Sequence, residues 1–259
     1  MVLIYSRRFV NKSWRNGSLF PYIYIALPSY MVMAFVGGFS ALMFLYFRIR
    51  TFGILFNDFL KLFLAAAIGC LVGAKVLFFL TILPQIPMGY SLLDLPILLL
   101  MSGYVFYGGL FGSLIALKMI LRRMPSYTWS SLRVFIAPAI PLFHGFGRIG
   151  CFMAGCCYGL PLVAPIQIGP ILFDHLPTQI IEAGFEFLLF WILVYVGYRW
   201  KQVNLLKLYL IVYAIFRFVI EFYRGDLDRG FWVMFSTSQW ISIFILGYYV
   251  FKTVKRKYT

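Results

Sequence analysis

The chain consists of long apolar runs joined by short basic connections, and few folds accept that pattern. Runs near 28–47, 62–83, 104–120, 134–147, 180–198, 207–223 and 239–251 hold few charges. A helix of about 20 apolar residues crosses the hydrocarbon core of a bilayer. Composition agrees, because 63% of the 259 residues are hydrophobic by a count that includes Tyr and only 12% are charged. A soluble domain carries about 25% charged residues, so this chain has too few polar side chains to cover a water-facing surface. Intrinsic disorder and a disulfide-stapled secreted domain are excluded as well, since four Cys are spread over a long apolar sequence. The expected fold is all-α: a polytopic membrane protein of about seven transmembrane helices, some short or kinked. Pro138 and Pro141 mark the fourth as broken or partly re-entrant. The expected layout is an extracytoplasmic N-terminal segment over 1–27, a seven-helix domain over 28–251 and a basic cytoplasmic tail over 252–259.

Alternate connections differ in basic content. One set holds 14 Lys and Arg, among them Arg48, Arg122, Arg199 and Lys255, and the other holds Arg148, Arg224 and Arg229. Basic connections stay in the cytoplasm, which predicts the N-terminus out and the C-terminus in. The tail residues Arg7, Arg8, Lys12 and Arg15 argue the other way but are outnumbered. They are not followed by an apolar core and a small-residue cleavage site, so no cleavable signal peptide is expected. Placed between apolar runs, the net charge of +15 suits anionic lipid head groups of a bilayer, and no nucleic-acid partner is expected.

Ionisable groups inside a span cost about 2.5–3.5 kcal/mol each, so those kept there face a cavity or one another. In the sixth run Tyr213, Arg217, Glu221 and Arg224 are spaced by four, four and three residues, which puts them on one stripe roughly 80° wide. Such a stripe forms either the wall of a site or an Arg217–Glu221 staple. Lys75 lies midway along the second run, and Glu182 and Glu186 stand one turn apart in the fifth; a buried cation and buried anions are expected to compensate one another. Tyr107 precedes the pair Gly108 and Gly109, which suits close helix packing or the approach of a head group to the backbone.

The densest constellation is HGFGRIGCFMAGCCYG, from His144 to Gly159. Gly147 and Gly150 could leave backbone N–H groups free as an anion nest, and Arg148 adds a cationic fork suited to a lipid phosphate. His144 titrates near neutrality and is the candidate base, because Tyr107 ionises only near pH 10. Cys151, Cys156 and Cys157 admit several readings: metal ligands together with His144 or His175, a disulfide, a reactive thiol, or small residues packing a tight loop. Their C-x4-C-C spacing matches no usual zinc arrangement, so no metal and no cofactor is expected.

Taken in order, these motifs resemble the bacterial prolipoprotein diacylglyceryl transferase family from about Tyr30 to about Gln239. The family signature G-R-x-G-N-F-x-N-x-E-x-x-G is matched by GRIGCFMAGCCYG at Gly147, Arg148, Gly150, Phe152 and Gly159. PSYMVMAF resembles the segment with the family's functional Tyr, here Tyr30; FYGGLFG resembles its His-Gly-Gly motif; HLPTQIIE resembles its His-Pro-Ser-Gln segment. RFVIEFYRGD resembles the helix carrying its essential Arg, here Arg217. The chain departs where Tyr107 replaces the family His, where Cys151, Ala154 and Cys156 replace Asn, Asn and Glu, and where Lys75 replaces Arg.

The resemblance implies a transferase of a bacterial plasma membrane. It would move diacylglycerol from phosphatidylglycerol to a prolipoprotein cysteine thiol and release glycerol phosphate. Arg148 and Arg217 would meet the phosphate, His144 would take the proton, and Tyr107 would orient head group or acceptor. Tyr30, Gly108, Gly109, Gly147, Gly150, Tyr213, Glu221 and Arg224 would line the substrate. A lipid-group transferase with another acceptor, or a non-catalytic lipid-binding or transport protein, would use the same scaffold.

Overall fold

A backbone in hydrocarbon must satisfy its own hydrogen bonds, and a helix does so within one segment. The protein is accordingly mostly helical in a computed structural model that describes residues 22–24, 27–82, 103–168, 171–226 and 230–258. The helices are α1 (Ser29–Arg48), α2 (Phe56–Ile82), α3 (Phe106–Leu121), α4 (Trp129–Ile136), α5 (Ala139–Ala154), α6 (Thr178–Arg199), α7 (Leu205–Ile220) and α8 (Thr237–Tyr258). Most of the expected 1–27 segment, the connection over 84–95 and Arg229 lie outside the described residues.

Each of the seven apolar runs contains helix. The fourth is longer than its sequence suggested and is divided: Ala137 and Pro138 separate α4 from α5, and Pro141 sits in the first turn of α5, where its missing N–H is not needed. Among the described residues four segments are long and apolar enough to cross a membrane: Ser29–Arg48, Phe56–Thr81, Trp129–Ala154 and Thr178–Arg199. At 16 residues each, α3 and α7 are shorter. The fold is not purely α. Three antiparallel pairs occupy connections: β1 (Tyr22–Tyr24) with β2 (Leu27–Pro28), β3 (Pro161–Ile168) with β4 (Ile171–His175), and β5 (Phe231–Trp232) with β6 (Phe235–Ser236).

The chain forms two compact units. One comprises 1–43, 138–203 and 215–229, the other 44–137, 204–214 and 230–259. In the second unit α2 and α3 meet backbone to backbone. Gly69 and Gly73 face Gly112 and Gly108, and a Cβ at any of the four would fall within 3 Å of the opposite helix. Ser113 Oγ donates to the Ala66 carbonyl across the contact at 2.9 Å. Two small-xxx-small registers facing each other allow this approach where lipid offers no hydrophobic drive for association. The opposite face of α2 exposes Leu64, Ile68 and Leu71, as a lipid-facing surface requires.

In the first unit α5 packs between α1 and α6. Gly37 of α1 meets Phe143 and Phe146, Gly150 meets Tyr30 and Met33, and Gly145 admits the Phe187 ring of α6. Phe185 of α6 stacks on Phe216 at the end of α7 with ring centroids 3.7 Å apart. Glycine thus brings three helices close enough for short side chains to meet.

Gly73→Ala should lower stability by about 1–3 kcal/mol, because the added methyl meets a fixed carbonyl. Gly38→Ala, which points into open space, should be neutral or stabilising by up to about 1 kcal/mol through helix propensity. Thermal unfolding of the two variants in detergent measures the contrast.

Candidate functional site

Three helical segments of the first unit each bring ionisable residues on successive turns. His144 and Arg148 lie one turn apart on α5, as do Glu182 and Glu186 on α6. Arg217 lies in the last turn of α7, and Glu221 follows in a single 3₁₀ turn, Glu221–Tyr223. All six are buried, with no more than 7% of any of them exposed.

They form one connected lattice. Glu182 Oε2 lies 3.0 Å from Arg148 Nη2 and 3.1 Å from Arg217 Nη1. Arg217 Nη2 forms an ion pair with Glu221 Oε2 at 2.7 Å. Arg148 Nε donates to His144 Nε2 at 3.2 Å, and His144 Nδ1 meets Glu186 Oε1 at 2.7 Å. Since a guanidinium has no lone pair, Nε2 must be the acceptor; the ring is then neutral with its proton on Nδ1, donated to Glu186. Glu182 Oε1 and Glu186 Oε2 are buried without a hydrogen-bond partner among the described residues. Acceptors buried this way require a proton, a water or a ligand.

Several expectations are revised. The stripe on the sixth run is neither a plain wall nor a plain staple, because Arg217 pairs with Glu221 and also with Glu182. Glu182 and Glu186 pair with Arg148, Arg217 and His144, and in the second unit the Lys75 ammonium lies 4.5 Å from the Tyr104 ring centroid. The glycine nest is absent. Gly147 and Gly150 lie inside α5, where apolar surroundings keep N–H groups in intrahelical bonds. Gly150 instead admits the start of α1, which puts Tyr30 beside α5, and Gly147 faces open space. Arg224 holds Asp226 through two hydrogen bonds of 2.9 and 2.6 Å.

Tyr107, Gly108, Gly109 and Tyr213 belong to the second unit. Gly108 and Gly109 face α2. Tyr107 is buried, shares a 2.8 Å hydrogen bond with Ser242 and packs edge-on against Tyr213, which stacks on Tyr209.

Beyond Arg148 the chain doubles back. Gly155 caps α5 in the left-handed conformation, and Cys157 also has positive φ, at 62°. The first two residues of α6 fix this loop: Gln179 Nε2 donates to the Cys156 carbonyl at 2.7 Å and Thr178 Oγ1 to the Cys157 carbonyl at 2.9 Å. Donation from the Cys151 and Cys156 thiols, helped by the Arg224 and Arg148 charges, holds the Cys157 thiol well below its ordinary range. The same thiol contacts push Cys156 up. None of the three is in a disulfide.

Sequence reasoning left Glu182 and Glu186 out of the site. Two carboxylates one turn apart in an apolar helix were a visible signal, but their partners were not. Thr178 and Gln179 lay in the HLPTQIIE segment that resembles the family's His-Pro-Ser-Gln motif, but their hold on the loop carbonyls gave no signal, and Ser242 had none beyond its polarity.

Together these features define a helical membrane protein whose buried charges converge on one ionic centre, the mark of a functional site within a membrane. A model of the prolipoprotein diacylglyceryl transferase family matches residues 18–253. The phosphatidylglycerol–prolipoprotein diacylglyceryl transferase of Clostridium tetani is 34% identical over 247 residues, covering 90% of this chain and 95% of that protein. A second transferase of the same description from Clostridium perfringens is 37% identical over 155 residues, 56% of this chain and 59% of its own length. The Campylobacter hominis transferase is 32% identical over 151 residues, 56% of this chain and 53% of its own. The chain belongs to the prolipoprotein diacylglyceryl transferase family.

Glu182→Gln should destabilise the protein by about 3–5 kcal/mol, since it leaves two guanidiniums buried without their shared anion. Recovery of monodisperse protein and its melting temperature in detergent measure the loss.

Proposed function

We propose that the protein moves diacylglycerol from phosphatidylglycerol to the thiol of a prolipoprotein cysteine in a bacterial plasma membrane. The observation that carries this reading is the contact of Arg148 and Arg217 with one oxygen of Glu182. Two guanidiniums held that close form a preorganised receptor for a phosphate, whose oxygens match the guanidinium fork. Release of glycerol phosphate requires cleavage of the carbon–oxygen bond on the diacylglycerol side. The acceptor sulfur forms the new bond to that carbon, the electron pair leaves with the phosphate oxygen, and the thiol proton must go to a base. Cations already in place stabilise the charge that grows on the phosphate as the bond breaks.

His144 is the base in this scheme. Glu186 fixes its tautomer through Nδ1, as a carboxylate does in a catalytic triad, and leaves Nε2 to accept a proton. In the resting arrangement Arg148 Nε–H occupies Nε2; a phosphate that turns the guanidinium toward itself frees the lone pair. Lipid binding and base activation are thereby coupled. Tyr30, Gly147, Glu221 and Arg224, all of the same unit, line the substrate path. Seven crossings with the N-terminus out and the C-terminus in complete the reading, supported by the basic connections.

Purified protein in phosphatidylglycerol vesicles should add one diacylglyceryl group to a prolipoprotein peptide, read by mass. An unmodified peptide with correctly folded enzyme argues against the reaction. Arg148→Lys and Arg217→Lys, which keep the charge but lose the fork, should each lower turnover at least about 100-fold, whereas Arg122→Ala retains it. His144→Gln should lose about 10²–10⁴-fold in turnover with lipid binding intact. A reporter fused after Thr259 should be active only in the cytoplasm.

A further inference from the structure

Cys151, Cys156 and Cys157 each offer one sulfur, and the three sulfurs lie within 4.8 Å of one another. A tetrahedral ion with metal–sulfur bonds of about 2.3 Å sets its sulfurs about 3.8 Å apart. Closing the cluster onto such an ion therefore moves a sulfur by about 1 Å, within the reach of a side-chain adjustment.

The C-x4-C-C spacing argued against zinc because Cys156 and Cys157 are adjacent, whereas usual sites place two to four residues between paired cysteines. Here the backbone removes that objection. The left-handed turn at Gly155 ends the helix and returns the chain to the Cys151 carbonyl, which accepts from the Cys156 N–H at 3.1 Å. Positive φ at Cys157, uncommon for any residue with a Cβ, then brings the third sulfur to the other two. Such conformations cost free energy and collect at functional sites. Gln179 and Thr178 hold the two loop carbonyls from α6, the kind of outer support that metal ligands receive. Cys156 is exposed, so an ion has a way in, while Cys151 is buried.

We propose that Cys151, Cys156 and Cys157 form a three-thiolate site for a thiophilic divalent ion of the zinc type, with the fourth position left to water or an exchangeable ligand. Binding releases the thiol protons to solvent. Three thiolates and a divalent ion carry one net negative charge. The ion ties the end of α5 to the loop leading into β3.

The test uses the full chain purified in detergent with a reductant and no chelator. Titration with Co²⁺ should give the visible ligand-field bands of tetrahedral cobalt and thiolate-to-cobalt charge-transfer bands, saturating at one ion per chain and displaced by Zn²⁺. Cys156→Ser, at the exposed position, and Cys157→Ser should each weaken Co²⁺ binding by more than the about 10–100-fold that an outer-shell residue costs. Cys70→Ser, in α2, should bind as the parent does. Absence of thiolate bands overturns the proposal, as do bands that survive in the Cys156→Ser, Cys157→Ser double variant. A disulfide among the three cysteines, found after alkylation of free thiols at the moment of lysis, overturns it too.

Discussion

A single carboxylate oxygen, Glu182 Oε2, takes both Arg148 and Arg217 at close to 3 Å, and the first unit is organised around that contact. Two guanidiniums so placed repel each other by about 3 kcal/mol at an effective dielectric of about 20, and the carboxylate attracts each by about 5–6 kcal/mol. The anion therefore decides whether the cations can share the space. Because the three groups come from α7, α6 and α5, the spacing of those helices and the charge balance of the site are one problem. A shift of any helix breaks an ion pair, and loss of any charge leaves another buried without compensation.

Glycine makes the lattice possible from the other side. Arg148 and His144 reach α6 because Gly145 admits the Phe187 ring, and Tyr30 reaches α5 because Gly150 has no side chain. The residues that make α5 look like a loop in the sequence are the ones that let it act as a tightly packed helix. The same glycine content ends it: Gly155 turns the chain back, and the three thiols gather within a few ångströms of the ionic centre's helix.

How much of this was legible depended on the kind of signal. Apolar runs marked every helix because the bilayer imposes them. The extent of α5 was missed, since Gly147 and Gly150 lower helix propensity in water but are tolerated when the alternative is an unsatisfied backbone. The β5–β6 hairpin was missed because its strands have two residues each, too few to show an alternation. Arg148 and Arg217 were picked out by motif likeness and by their cost inside an apolar run. Glu182 and Glu186 were noticed without Arg148, Arg217 and His144 as their partners: one-dimensional spacing says that a buried charge needs an opposite, and only the packing says which.

The contact between α2 and α3 carries a consequence for how this chain can change over time. With carbonyl against glycine and no side chain between, the pair has no soft layer along which to slide, so it moves as a single slab. Its identity is written in four positions, Gly69, Gly73, Gly108 and Gly112, while the lipid side of α2 needs only to remain greasy. Drift on the outer face is therefore nearly free, and drift on the inner face is nearly forbidden. Two helices of similar composition thus carry very different amounts of information per residue.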